Sequence, residues 1–328
     1  MLFRCLWCVG LLSVITAAAA EENDGMVAIP GGRMTTTTTR SYGRAEDEET
    51  EIQLLPFLLD KQPVTNSAFR DFVRDQKYKT EAETFGWSFV FQDFVSEDIK
   101  GKVTHTIKSA PWWLPVERAF WRQVCSSVLF FFLFFSELGF RPSAHVAHTQ
   151  PAGAGSGIAA RLDFPVVQVS WNDAQAFCSW KRKKLPTEDQ WEWAARGGLA
   201  RATFPWGERF RANRSNLWQG PFPDGDTAED GYHGLAPVDA FPPQNDFGLW
   251  DMLGNTWEWT SSVFPASGGS RQQMFTLRGA SWIDTADGSA NHRAEVAARM
   301  GNTPDSASDN LSFRCASDGR ERERHADL

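Results

Sequence analysis

Cysteine and tyrosine are what this chain has least of. Its 328 residues include five Cys and three Tyr. The thiols are unevenly placed, at Cys5, Cys8, Cys125, Cys178 and Cys315, with none between the last two. Positive charge is short as well: 33 Lys and Arg against 41 Asp and Glu leave a net charge of −8. That balance gives no reason to expect nucleic acid or an anionic membrane as partner. The alternating charges of Arg320 to Arg324 read as a solvated end. Beyond the first twenty residues no apolar run reaches the ~18 to 20 residues needed to span a bilayer. Neither a βαβ alternation nor an internal repeat is present.

Aromatic and apolar residues are plentiful, with 15 Trp, 25 Phe and 42% hydrophobic content. A chain of this length can then bury one substantial core or two smaller ones. Residues 1–20 have the layout of a cleaved signal peptide: Arg4, a mostly apolar stretch from Leu6 to Thr16, then Ala17 to Ala20 ahead of Glu21. The mature chain, residues 21–328, is therefore expected as one domain in an oxidising compartment. Cys5 and Cys8 leave with the peptide, so one disulfide and one odd thiol remain.

Helix signals are few but clear. Thr65 opens a segment with Phe69, Phe72 and Val73 on one face. Ser170 to Asp173 resembles a capping box followed by Ala174, Phe177 and Cys178. Pro186-Thr187-Glu188-Asp189-Gln190 repeats the start signal; Trp191, Ala194 and Ala195 follow, and Gly197-Gly198 ends the helix. After Gly198 only short strand candidates occur, such as Met274 to Leu277. The pattern predicts an irregular α+β fold in which loops carry much of the core. Residues 124–150 interrupt a polar, Gly-rich passage with a run from Phe130 to Phe135. Such a run invites aggregation when exposed. Its valine, phenylalanine and glutamine codons suit a retained intron, so it is read as a splice-derived insertion holding the odd Cys125.

From about Val27 to Cys315 the chain resembles the sulfatase-modifying factor family, whose active members generate formylglycine. The matching stretches are Ser170 to Ala174, Arg182 to Trp193, Phe204 to Gly207, Gly254 to Thr260, Arg278 to Trp282, and Asn302 to Ser306 through Phe313-Arg314-Cys315. Phe85-Gly86-Trp87-Ser88-Phe89-Val90 looks most similar to the family's inactive vertebrate branch. The resemblance implies a C-type-lectin-like α+β fold of the formylglycine-generating-enzyme type, with little regular secondary structure. It also implies a Cys178–Cys315 bridge.

Active relatives carry two cysteines after the serine of a Gly-x-Ser motif. The thiolates hold Cu(I), and one of them forms a mixed disulfide with substrate. Here the first position is Asp284 and the second falls at or near Ser289. A carboxylate and a hydroxyl cannot exchange disulfides and are poor Cu(I) ligands, so neither copper nor catalysis is expected. Asp284, Asp287 and His292 could together hold a harder metal, but a facial triad wants two His. A metal-dependent enzyme using Asp284 stays as one alternative and a secreted lectin-like binder as another. No Ser-His-Asp pattern can be defended from spacing.

Two structural calcium sites carry over by resemblance, one at Asn216, Leu217, Asp230 and Tyr232, the other at Asp251, Gly254, Thr256 and Glu258. Oxygen donors of this kind suit calcium, and Glu258, between two tryptophans, needs a partner for its charge. Trp257, Ser281, Arg299 and Asn310 match positions lining the substrate groove. Of two glycosylation sequons, Asn213 is the better acceptor and Asn310 is too enclosed. These readings converge on a non-catalytic protein of the endoplasmic reticulum lumen. It would bind sulfatase polypeptides or its active relative and modulate sulfatase maturation, with homodimerisation left open.

Overall fold

The computed structural model describes residues 25–38, 48–123, 157–265 and 272–318. The signal segment, residues 124–150 and Cys125 lie outside these residues. In chain order the regular elements begin with β1 (Met26–Ile29), β2 (Gly32–Thr38), β3 (Glu48–Leu54), β4 (Phe57–Asp60), α1 (Asn66–Gln76) and α2 (Glu81–Phe85). Next come β5 (Trp87–Phe91), α3 (Glu97–Lys100), β6 (Trp113–Glu117), α4 (Trp171–Trp180) and α5 (Glu188–Arg196). Five strands close the chain: β7 (Trp257–Phe264), β8 (Met274–Arg278), β9 (Arg299–Asn302), β10 (Leu311–Ser312) and β11 (Ala316–Ser317).

The three helices read from sequence form for the reasons read. Thr65 caps α1 by accepting the Ala68 N–H at 3.3 Å. Ser170 and Asp173 form a reciprocal box at the start of α4, as Thr187 and Gln190 do for α5, which Gly197 ends in the left-handed region (φ 58°). Each box satisfies N–H groups that the first turn leaves without partners. Strand β8 also falls where it was expected.

Two small sheets organise the rest. One is antiparallel in the order β1-β4-β11; the other runs β10-β7-β8-β9, with β10 parallel to β7. Two-stranded ribbons, β2-β3 and β5-β6, flank them. The main core joins α1, α4 and the second sheet through Phe69, Phe72, Phe177, Phe313, Trp257 and Trp259. Cys178 of α4 is disulfide-bonded to Cys315, just before β11, with Cα atoms 5.6 Å apart and a sequence separation of 137.

From Gly198 to Thr256 the chain has no strand and only one short 3-10 turn. Side-chain amides do the work of a ladder there. Gln244 donates to the carbonyls of Arg214 and Leu253 and accepts the Leu253 N–H, and Asn245 donates to the carbonyls of Ala194 and Ala195. Buried backbone groups must find partners somewhere, so these amides let loops enter the core.

Candidate functional site: a carboxylate held by five donors

Strand β7 begins at Trp257, and the chain leaves β8 through Gly279-Ala280 into Ser281 to Asp284. This brings Asp284, which is fully buried, under the Trp257 indole. Its Oδ2 accepts the Trp257 Nε1–H at 2.9 Å, the Ser281 N–H at 2.7 Å and the Ser281 hydroxyl at 2.9 Å. Its Oδ1 accepts the His292 backbone N–H at 3.0 Å and faces His292 Nδ1 at 3.1 Å. Two carboxylate oxygens offer about four lone-pair positions, so five donors saturate them.

A relay stands behind the serine. The Ser308 hydroxyl donates to Asn310 Oδ1 at 2.7 Å, and the Asn310 amide donates to Ser281 Oγ at 3.0 Å. The serine hydroxyl then passes its own hydrogen to Asp284. Trp257, Ser281 and Asn310 thus gather around Asp284 as a closed interior network, since all are buried. Arg299 does not join them. It sits on β9, at the far edge of the sheet from β10, and donates to both oxygens of Glu188 at 2.9 Å. Its Nη2 is committed to the first turn of α5.

The side chain that lies against Asp284 is His292, not Ser289. Ser289 is exposed in the turn, its N–H capping Asp287 at 3.0 Å. Asp287 is also exposed and faces that turn, so Asp284, Asp287 and His292 do not converge. Among the described residues no three His, Cys, Asp or Glu side chains are grouped to hold a metal ion. His292 is brought back by loop closure: Ala294 N–H donates to the Thr285 carbonyl at 2.9 Å, and the Asn291 amide donates to the Ile283 carbonyl at 2.7 Å. The ring stands edge-on to Trp257, with centroids 5.1 Å apart, and its side chain is 46% exposed. The hydrogen bond to Asp284 holds its pKa above the ordinary histidine value.

The two expected calcium positions differ in kind. At the first, half-buried Asp230 accepts the N–H groups of Leu217 and Tyr232, one on each oxygen, at 3.1 and 3.0 Å. Burial raises its pKa, and nearby Asp226 adds to the rise. A desolvated carboxylate with a second acid nearby offers hard oxygen donors of the kind calcium takes. Asn216 tethers this loop to the second position, its carbonyl accepting the Asn255 N–H at 2.9 Å. Gly254 permits that approach: it lies at φ +86°, and a Cβ there would come within 2.6 Å of the Asn216 carbonyl oxygen.

The second position does not fit as expected. Glu258 is fully buried and meets Arg314 through two bonds of 2.7 Å, while Trp191 Nε1–H donates at 2.8 Å. The partner its charge needed is a guanidinium rather than a metal. Arg314 also donates to the carbonyls of Asp60, Lys61, Trp250 and Asp251. Thr256 is buried with its hydroxyl unpartnered. Asp251 accepts the Asn255 amide at 2.8 Å, and burial pushes its pKa up to about 7. Sequence reasoning missed Arg314 because nothing in a Phe-Arg-Cys tripeptide says which carboxylate lies opposite. Of the sequons, Asn213 is exposed on the 3-10 turn, whereas Asn310 is buried.

An α+β fold with sparse regular structure, loops woven through its core and a buried side-chain network where β7 begins and β8 ends defines a domain of the formylglycine-generating-enzyme type. The chain belongs to the family of the sulfatase-modifying factor enzyme 1-like domain, whose model matches residues 12–319. It is 55% identical over 312 residues to the inactive C-alpha-formylglycine-generating enzyme 2 of Bos taurus, covering 94% of both chains. It is 39% identical to the formylglycine-generating enzyme of Mus musculus, over 89% of this chain and 75% of that one. Among solved structures, PvdO from Pseudomonas aeruginosa superposes with a TM-score of 0.55 at 20% identity, over 89% of this chain and 94% of that one. At that identity the likeness speaks for the fold alone.

Proposed function

We propose that this chain is a non-catalytic member of its family that acts in the endoplasmic reticulum lumen by binding sulfatase polypeptides or its active relative, and so modulates sulfatase maturation. The observation that carries the reading is Asp284. Beneath the Trp257 indole stands a buried carboxylate saturated by five donors, and no cysteine occurs between Cys178 and Cys315. Both of those cysteines are consumed by their disulfide. A thiolate is needed for disulfide exchange and for holding Cu(I), and the described residues offer none. Calcium has a structural part in this reading, at Asp230 with Asn216, Leu217 and Tyr232. The name of the Bos taurus relative, with its word inactive, points the same way.

The test is incubation with a cysteine peptide of the sulfatase type under copper, oxygen and reductant, read by mass spectrometry beside calorimetric titration. No formylglycine is expected, and binding of the order of micromolar, about −8 kcal/mol, is. Formylglycine product overturns the non-catalytic reading. Absence of binding at millimolar peptide overturns recognition of the substrate chain.

A further inference from the structure

Once the thiol chemistry is set aside, the pocket still contains one reactive group aimed outward. Asp284 is an acceptor surrounded by donors, so the His292 nitrogen facing it, Nδ1, carries the hydrogen of their 3.1 Å contact. In the neutral imidazole this places the lone pair on Nε2. Nε2 has no hydrogen-bond partner among the described residues, and the ring is about half exposed beside the Trp257 indole. The loop that carries the ring is held in place. Its own backbone N–H is tied to Asp284 Oδ1, and the Thr285–Ala294 and Ile283–Asn291 bonds close the loop behind it. The relay from Ser308 through Asn310 and Ser281 reaches the other carboxylate oxygen. Asp284 is thereby pinned from one side while it orients the imidazole on the other.

We propose that Asp284 and His292 form a dyad that binds the cysteine side chain of an extended polypeptide noncovalently, through His292 Nε2. The inference deepens the function proposed above and rests on its recognition of a cysteine-bearing chain. The step is a proton transfer. The substrate S–H bond breaks, the proton goes to Nε2, and the sulfur keeps the electron pair as a thiolate beside an imidazolium. No bond to sulfur forms and nothing is oxidised. The Asp284 charge does not repel the thiolate, because it is turned inward toward its donors and the imidazolium stands between. An aromatic wall suits polarizable sulfur, and a thiol ionises close enough to neutrality to share a proton with histidine, which a serine hydroxyl does not. In this arrangement His292 is the contacting residue and Asp284 the positioning residue.

The test uses the full chain and four peptides identical except for Cys, Ser, Ala or Asp at one position, with binding read by fluorescence anisotropy. Wild-type protein is expected to prefer Cys over Ser and Ala by about tenfold, the worth of one charge-assisted hydrogen bond. His292→Ala should bring the Cys/Ser ratio to about one while leaving the Ser and Ala affinities unchanged. Asp284→Asn should lower the ratio part of the way, with thermal melting confirming that each variant is folded. A ratio unchanged in folded His292→Ala overturns the proposal, as does a preference for the Asp peptide. A second probe separates this inference from the function on which it rests. The His292 Cε1–H resonance is followed on addition of N-acetylcysteine amide, with N-acetylserine amide as control. A shift with the thiol alone supports the dyad even if no peptide binds, which would leave the wider recognition reading refuted. No shift with either, alongside tight peptide binding, refutes the dyad alone.

Discussion

Replacing Glu258 by Gln removes a charge without removing much volume, and the structure sets the size of the consequence. Arg314 and Glu258 are both fully buried and share two hydrogen bonds of 2.7 Å. In Glu258→Gln the guanidinium keeps its four backbone carbonyls but loses its counter-charge. One amide N–H group of the glutamine must also face a donor. Stranding one partner of a buried pair costs about 3 to 5 kcal/mol. For a domain of this size each kcal/mol lowers the melting temperature by ~2 to 4 °C. A fall of about 10 °C is therefore expected in thermal denaturation followed by circular dichroism, with a matching shift in the urea midpoint. Removing both charges, in Glu258→Leu with Arg314→Met, should cost less than the sum of the single changes by at least ~2 kcal/mol, since neither charge is then stranded. If Glu258→Gln lies within about 1 kcal/mol of wild type, or the double variant is merely additive, the buried pair is not the anchor described here.

Reduction of Cys178–Cys315 releases a loop of 137 residues, which in the chain-entropy model costs about 5 kcal/mol; a melting temperature unmoved by strong reductant, with both thiols shown to be free, would refute this. Chelator should lower the melting temperature of calcium-loaded protein, by about 2.7 kcal/mol of stability if calcium stood at a hundred times its Kd. Asp230→Asn should abolish that response, and its survival in the variant would exclude Asp230 as a ligand. Burial pushes Asp309 up to about 7, with Oδ1 left unpartnered. Its unfolded value is about 3.9, so the native state gains a proton-linked stabilisation that is full below pH ~4 and is lost as pH rises through about 7. Asp309→Asn should flatten that part of the stability–pH curve, and an unaltered curve would count against the assignment.

How much of this was legible in the sequence depends on the range of the interactions involved. Thr65, Ser170 and Thr187 announce their helices because a cap is a bond between residues two or three apart. Trp257, Ser281 and Asn310 were identified together through resemblance, and the fold does bring them together around Asp284. Arg299 was placed with them on the same grounds, yet sheet order puts β9 beyond β8 and hands its guanidinium to Glu188. The return of His292 to Asp284 depends on Asn291 and Ala294 closing the loop between them. The position matching the relatives' second cysteine, Ser289, is left in solvent. The Glu258–Arg314 pair crosses 56 positions, and no local pattern encodes such a distance. The amide-braced stretch after Gly198 was legible as irregular, but which carbonyls Gln244 and Asn245 would satisfy was not.

Strand β7 explains how a family member could exchange its pocket chemistry and keep its fold. Successive side chains of a strand point to opposite faces. Trp257 turns its indole N–H toward Asp284, and Glu258, the next residue, turns its carboxylate toward Arg314 and Trp191. The pocket network and the buried ion pair therefore share one backbone without sharing a face. An acid at position 284 needs donors, and every donor it uses comes from the pocket side: an indole, a serine and a histidine with their own N–H groups. None is borrowed from the Glu258–Arg314 side, which ties β7 to Asp60, Lys61, Trp250 and Asp251. A carboxylate at position 284 is thus satisfied where it stands. The same separation predicts that pocket variants such as His292→Ala change binding with little effect on melting, whereas Glu258 variants change melting first.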